Sequence, residues 1–309
     1  RWTVQTTPNA SGYLTFSSLN AVSCSSATAC TAVGQYQNVS DGWALAEVWN
    51  GTSWSLRSPP NPSGASYSEL DGVSCRSATA CTAVGRYASS SGALETLAEE
   101  WNGTTWTVKT TPTPKGASSL DLDAVSCSSA TACTAVGQYE NSLGEIETLA
   151  EAWNGTSWTV HATSNPSTQN YLTAVSCRSA TACTAVGWFA TISSVVTLVE
   201  TWNGATWAVQ TTRKPKGTTS GSFDGVSCSS ATACTAVGQD GNSSGALLTL
   251  AEAWNGTRWV VQTAPDPSGA VYGSGLEAVS CSSATACVAV GSYESGSSTS
   301  EALAESEDP

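Results

Sequence analysis

The sequence predicts an all-β chain, a six-bladed β-propeller with four antiparallel strands per blade and one disulfide in each. Three observations carry this. The segment AVSCSSATACTAVG recurs six times with small changes, its first cysteine falling at Cys24, Cys75, Cys127, Cys177, Cys228 and Cys281, a period of 50 to 53 residues. A second phrase, LAExWNGxxWxV as in Leu149–Val160, stands between the copies. The two ends are complementary: Arg1–Pro8 (RWTVQTTP) reads as a last strand, and Leu303–Ser306 (LAES) as the start of a third.

Each period divides into four strand-like pieces. Strand one is LxAVSC, as in Leu122–Cys127, and strand two is ACTAVGxY, as in Ala132–Tyr139. Strand three is TLAEAWN, Thr148–Asn154, and strand four is SWTV with its tail, Ser157–Ala162. Val, Thr, Trp and Tyr suit a pleated, half-buried surface. Asn-Gly between strands three and four predicts a type I′ hairpin. Gly, Pro and Ser interrupt the chain about every ten residues, which disfavours helix. Residues 1–8 are expected to complete the last blade and seal the ring, leaving one domain over 1–309. A closed monomer is the expected form; the same pairing between chains would give strand-swapped oligomers or filaments.

The cysteines form Cys-x5-Cys pairs: Cys24–Cys30, Cys75–Cys81, Cys127–Cys133, Cys177–Cys183, Cys228–Cys234 and Cys281–Cys287. Each pair flanks the turn between strands one and two, where facing strands bring the sulfurs together. Zinc is the rival reading, but it needs four ligands per site and would have to pool pairs from separate blades. Six disulfides are expected, each closing a short loop worth about 2–2.5 kcal/mol in the chain-entropy account. They place the protein in an oxidising compartment, secreted or on an extracellular surface.

Acidic residues outnumber basic ones 24 to 11, a net charge of −13, which excludes a nucleic-acid partner. Hydrophobic residues make up 40%, enough for a core. No apolar run approaches the roughly 18 residues of a membrane helix, so no membrane insertion is expected. No signal peptide is visible, and a chain with no Met is expected to be a processed product or an excised fragment.

Strand alternation sets the 1–2 and 3–4 turns on one face, where they hardly vary. The 2–3 and 4–1 connections share the other face and differ between blades, as in Asn38–Gly42, Glu140–Gly144, Ala190–Ser194 and Pro265–Gly275. Variable loops on a rigid scaffold are where binding sites arise. The position four before each first cysteine reads Asn20, Asp71, Asp123, Thr173, Asp224 and Glu277. With strand one innermost, these residues ring a channel mouth on the variable face. Asp71, Asp123, Asp224 and Glu277 are therefore the candidates for carboxylate catalysis or a Ca²⁺ site, against a plain solvated rim.

After strand two come Tyr36, Tyr87, Tyr139, Phe189 and Tyr293, preceded by Gln35, Arg86, Gln138, Trp188 and Ser292. Arg86, Trp188 and Trp43 have no counterpart in other blades. Aromatic faces beside polar donors suit sugar rings, so Tyr36, Trp43, Arg86, Tyr87, Tyr139 and Trp188 form the candidate ligand set, with strand-end packing the alternative. Residues repeated in every blade read as scaffold: Glu47, Glu99, Glu151, Glu200, Glu252 and Glu305 as interstrand hydrogen-bonding groups, and Trp pairs such as Trp153 and Trp158 as interblade packing. His161, the one histidine, takes a position held elsewhere by Arg57, Lys109 and Gln210, which disfavours a triad or histidine metal chemistry.

On Ala124–Gly137 and Leu149–Trp158 the chain resembles the Cys-paired, WNG-containing repeat proteins of actinobacteria and related bacteria. That resemblance implies a secreted β-propeller and transfers no catalytic residues. WNGTSW is also faintly similar to the Asp-box turn of sialidase-like propellers, but Asn154–Gly155 replaces the Asp-x-Gly core and the turn is shorter, so sialidase function is not carried over. The expected function is a secreted or surface-displayed module that binds extracellular carbohydrate, or a surface protein, through the variable face. A polysaccharide hydrolase or lyase using the channel-mouth acids is the alternative, and a self-assembling surface protein the second.

Overall fold

The computed structural model describes residues 3–8, 14–38, 41–296 and 299–307. Arg1 and Trp2 of the expected closing strand, and residues 39 and 40 of the Asn38–Gly42 connection, lie outside the described residues. The described chain contains strands and connections and no helix. The first repeat comprises β1 (Leu14–Ser26), β2 (Ala29–Asn38), β3 (Gly42–Trp49) and β4 (Trp54–Leu56). The second has β5 (Tyr67–Ser77), β6 (Ala80–Ala88), β7 (Leu94–Trp101) and β8 (Trp106–Lys109), and the third β9 (Ser119–Ser129), β10 (Ala132–Glu140), β11 (Ile146–Trp153) and β12 (Trp158–His161). The fourth has β13 (Asn170–Ser179), β14 (Ala182–Ala190), β15 (Val195–Trp202) and β16 (Trp207–Val209). The fifth has β17 (Thr218–Ser230), β18 (Ala233–Asn242), β19 (Leu247–Trp254) and β20 (Trp259–Val261). The sixth ends after three: β21 (Ala270–Ser283), β22 (Ala286–Ser295) and β23 (Ser300–Ser306).

Each complete repeat is an antiparallel four-stranded meander. By contacts the chain divides into two compact units, residues 1–144 with 149–160, and residues 145–148 with 161–309. Single parallel bridges, Gly42↔Tyr67 and Leu247↔Gly273, join the first repeat to the second and the fifth to the sixth. The six disulfides form as the spacing predicts, each between directly opposed residues of strands one and two.

The serine and threonine of the repeated phrase tie one repeat to the next. Cys75 N–H donates to Ser23 Oγ at 2.9 Å and Cys127 N–H to Ser74 Oγ at 3.0 Å; Cys228 and Cys281 do the same to Ser176 and Ser227. Thr31 and Thr82 place Oγ1 3.4 Å from Sγ of Cys81 and Cys133. Strands one of successive repeats are thereby laced together within each unit. The Trp pairs stand opposite each other with ring centres 5.5–5.9 Å apart, and those of the second, third and fifth repeats pack into the cores shared with the preceding repeat. At the clamped end, the indole N–H of Trp101 donates to Ala78 O at 3.1 Å, fixing the 3–4 turn against the 1–2 turn.

Two expectations differ. The connection between strands three and four has four residues, not an Asn-Gly pair. Asn154 Oδ1 accepts from Thr156 N–H at 2.9 Å and Ser157 N–H at 3.0 Å, so the asparagine side chain organises the loop and Gly155 supplies the positive φ of 93°. The closing strand is not formed by the described residues of 1–8. Residues 3–8 lie outside any strand, Val4 is 100% exposed, and β23 pairs with β22 alone.

Candidate functional site

One backbone feature organises the predicted acids. Strand one is bulged in all six repeats, with register shifts at Leu19/Ala21, Leu70/Gly72, Leu172/Ala174, Phe223/Gly225 and Leu276/Ala278, and the equivalent shift opposite Val136/Gly137. The extra residues are Asn20, Asp71, Asp123, Thr173, Asp224 and Glu277, the whole set singled out in the sequence. A bulge re-aims its side chain out of the ladder. Asn20 Nδ2 donates to Leu70 O and to Asp71 Oδ1, both at 3.1 Å, and Thr173 Oγ1 donates to Phe223 O at 2.8 Å. The bulge residue thus reaches the neighbouring bulge. A glycine faces it on strand two, because a Cβ at Gly85 or Gly137 would collide with the carbonyl oxygen of Glu69 or Asp121.

In the 1–144/149–160 unit the bulge acids join a larger cluster. Arg86 on β6 places NH2 2.5 Å from Glu69 Oε1 and NH1 2.6 Å from Asp121 Oδ2. Glu69 and Asp121 are nearly enclosed, at 4% and 10% side-chain exposure, while Arg86 keeps 36%. The Tyr67 hydroxyl donates to Glu69 Oε2 at 2.6 Å and lies 2.8 Å from Gln35 Oε1. Burial, then Glu69 and Asp121, push the Asp71 carboxyl up to about 7 against the pull of Arg86. Asp123 is raised well above the usual carboxylate range by burial and by Asp121 and Asp71. Asp71 Oδ2, Asp121 Oδ1 and Asp123 Oδ2 are buried and accept no hydrogen bond from the protein.

In the 145–148/161–309 unit, Asp224 and Glu277 line a cavity of about 390 Å³ with Gln239, Ser274, Ser292 and Tyr293. Ser292 Oγ donates to Glu277 Oε1 at 2.9 Å, and burial together with Glu277 pushes Asp224 up to about 6. Gly275 helps open this space, since the equivalent position carries a side chain in the other five repeats.

The predicted ligand residues scatter over several environments. Arg86 enters the acid cluster. Trp188 is stacked on Tyr171 with ring centres 4.0 Å apart, so one of its faces is already covered. Tyr36 stands opposite Trp43 across β2 and β3, both half-buried. Tyr87 and Tyr139 pack against the cores of the second and third repeats. Strand alternation turns them away from Arg86 and Gln138. Among the described residues, no three His, Cys, Asp or Glu side chains group closely enough to hold a metal ion. His161 sits against Trp202 at 4.7 Å, and Lys109 lies over Trp153 at 5.6 Å, so that tolerant position shields the next repeat's tryptophan.

Glu69, Asp121 and Tyr171 were missed in the sequence, and a signal was there. They share the position six before the first cysteine, which reads Ser18, Glu69, Asp121, Tyr171, Ser222 and Gly275. Each pairs directly across strands with the Gln35, Arg86, Gln138, Trp188, Gln239, Ser292 position. Only the first and fifth repeats keep Ser opposite Gln; the Glu69–Arg86 ion pair, Asp121 opposite Gln138, the Tyr171–Trp188 stack and Gly275 opposite Ser292 are the departures.

No family model and no curated protein matches the sequence. Solved structures do match. A xyloglucanase from Xanthomonas campestris is 9% identical, with 89% of this chain and 45% of that one covered at a TM-score of 0.55. Sqt1 from Chaetomium thermophilum is 11% identical over 89% of this chain and 67% of its own, TM-score 0.51. A sialidase from Trypanosoma rangeli is 11% identical over 92% of this chain and 52% of its own, TM-score 0.51. The shared fold is all-β, built of repeated four-stranded antiparallel sheets. The chain spans about half the length of the xyloglucanase and the sialidase, and at these identities the likeness concerns the fold. Among the described residues of the 1–144/149–160 unit, the bulge acids Asp71 and Asp123 each carry a buried oxygen without a protein donor, in the cluster that holds Arg86.

Proposed function

We propose that the protein is a secreted, six-bladed propeller that binds extracellular carbohydrate at the end bearing the strand-one bulges. The observation that carries this reading is the Glu69–Arg86–Asp121 group with Asp71, Asp123 and Tyr67: buried carboxylate oxygens without protein donors beside a half-exposed guanidinium. Such an array offers acceptors for sugar hydroxyls and a fixed donor for a ring or acidic oxygen, and a buried acceptor is costly until it is met. Six disulfides fit an oxidising exterior, as the resemblance to secreted WNG-repeat proteins implies. Two of the proteins with this fold are named for carbohydrate chemistry, a xyloglucanase and a sialidase.

The six-blade reading has its own support. Beside β23 a cavity of about 620 Å³ is lined by Leu276, Val279, Cys287, Ala304 and Glu305, where other repeats place their Trp pair. Arg1–Pro8 (RWTVQTTP) nearly repeats Arg258–Pro265 (RWVVQTAP), the fourth strand of the fifth repeat. In this reading the N-terminal segment pairs with β23 as the sixth blade's outer strand in a closed monomer, a pairing that the described residues 3–8 do not make in the structure.

The experiment is a polysaccharide and glycan array with the oxidised protein, its Arg86→Ala variant and its Asp71→Asn variant, read for binding and for released sugar. Sugar-competable binding lost in Arg86→Ala supports the module. Sugar release lost in Asp71→Asn supports a hydrolase, the reading favoured by a carboxyl held up to about 7 beside an ion-paired carboxylate. Silence from the folded wild type across the array overturns both.

A further inference from the structure

The first five repeats each bury a glutamate on the third strand, and Glu99, Glu151, Glu200 and Glu252 are 0% exposed, while Glu305 of the sixth is half-buried. Two of them receive a backbone donor from the preceding repeat. Ser164 N–H donates to Glu200 Oε2 at 3.1 Å, and Arg213 N–H donates to Glu252 Oε2 at 3.2 Å. Ser164 and Arg213 occupy one repeat position, six residues after Trp158 and Trp207. The same position holds Pro60 after Trp54, Pro112 after Trp106 and Pro265 after Trp259. Proline has no N–H to give. The glutamates that follow Pro60 and Pro112 are Glu99 and Glu151, and neither oxygen of either one has a hydrogen-bond partner in the protein. Pro265 and Glu305 line the same cavity, so the neighbourhood persists when the donor is gone.

We propose that this one position is a protonation switch within the repeat. An N–H there supports a carboxylate in the next repeat, while a proline commits the buried glutamate to its neutral acid form in the folded protein. The 1–144/149–160 unit, which holds Glu99 and Glu151, is then the alkali-sensitive part of the chain.

The surroundings agree. Glu99 stands opposite Ala83 on β6 and Val108 on β8, and Glu200 opposite Ala185 and Val209. Burial alone pushes Glu99 and Glu151 up to about 8. Glu200 rises by burial to about 7, held back by the Ser164 N–H. Glu252, opposite Ala236 and Val261, also rises by burial to about 7; the Arg213 N–H and charge lower it and Asp240 raises it. An ordinary glutamate ionises at 4.5, so between pH 4.5 and about 8 the unfolded chain releases protons that the native chain keeps. Stability is therefore fullest below pH 4.5 on this account, falls as pH rises towards 8, and levels off above it.

The test is urea unfolding of the whole chain from pH 5 to pH 10 for wild type, Glu99→Gln/Glu151→Gln and Pro112→Ala. The wild-type folding constant is expected to fall by up to about tenfold per pH unit for each of these glutamates within the window. Glu200 and Glu252 add slope only up to about pH 7, so the double glutamine variant should lose slope mainly between pH 7 and 8, and Pro112→Ala, which restores an N–H, should reduce it there. A wild-type slope in both variants overturns the proposal. Should the glutamine variant fail to fold, the infrared carboxyl band of native wild type and Pro112→Ala decides. A protonated band present at pH 7 in wild type and weakened in Pro112→Ala supports the switch, and a band identical in the two proteins overturns it.

Discussion

Gly137 shows how one atom enforces the site. Its missing Cβ is the space into which the Asp121 carbonyl comes when strand one bulges, and Gly34, Gly85, Gly187, Gly238 and Gly291 play the same part. Gly137→Ala is expected to push the two strands apart, cost about 2 kcal/mol as overpacking does, and displace Asp123. A lowered urea midpoint checks the cost; an unchanged midpoint would contradict the close approach. Arg86 is equally particular. Its guanidinium answers two nearly enclosed carboxylates, so Arg86→Ala leaves like charges facing each other, an effect reduced by the exposure of Arg86 itself. The sequence marked Arg86 as a departure from the repeat but not its partners, because Glu69 and Asp121 declare themselves only when the strand-one position is aligned with its cross-strand neighbour.

At the scale of the element, the strand-one/strand-two hairpin is the unit of construction. A disulfide closes its turn, and the serine before the first cysteine accepts an N–H from the next hairpin. The hairpin is therefore both clamped and laced. Replacing Cys127 and Cys133 together by Ala is expected to lower stability by about 2 kcal/mol, since a short loop is released in the unfolded chain. Urea midpoints of the oxidised proteins check it, and Ser74→Ala should cost about 1 kcal/mol by removing one hydrogen bond. The strand pattern, the cysteine pairs and the Trp pairs were all legible in the sequence, because period-two alternation and repetition report local pairing directly. The WNG turn was misread as a two-residue hairpin. The asparagine side chain, by accepting two backbone N–H groups, stabilises a four-residue loop that the Asn-Gly dipeptide alone does not announce.

For the whole molecule, the sixth repeat decides how the proposed ring ends. It lacks an outer strand, and its core holds Val237, Leu276 and Ala289 without the tryptophans that fill the cores of the second, third and fifth repeats. If residues 1–8 supply that strand, deleting them removes the apolar contacts of one Trp and one Val. The melting temperature should then fall by several degrees, at about 2–4 °C per kcal/mol for a chain of this size. A melting temperature unchanged by the deletion would leave the sixth repeat stable with three strands.

The sequence by itself determined the repeat, its strands, the six disulfides and the set of positions that carry acids. Each of these follows from the spacing of residues along one chain. Tertiary structure decided which acids meet a cation, which glutamates receive an N–H, and where a cavity opens. Those outcomes depend on groups 35 to 51 residues apart, in neighbouring repeats, being brought within 3 Å or so by bulges and by proline or non-proline tails, and spacing along a single repeat does not encode them.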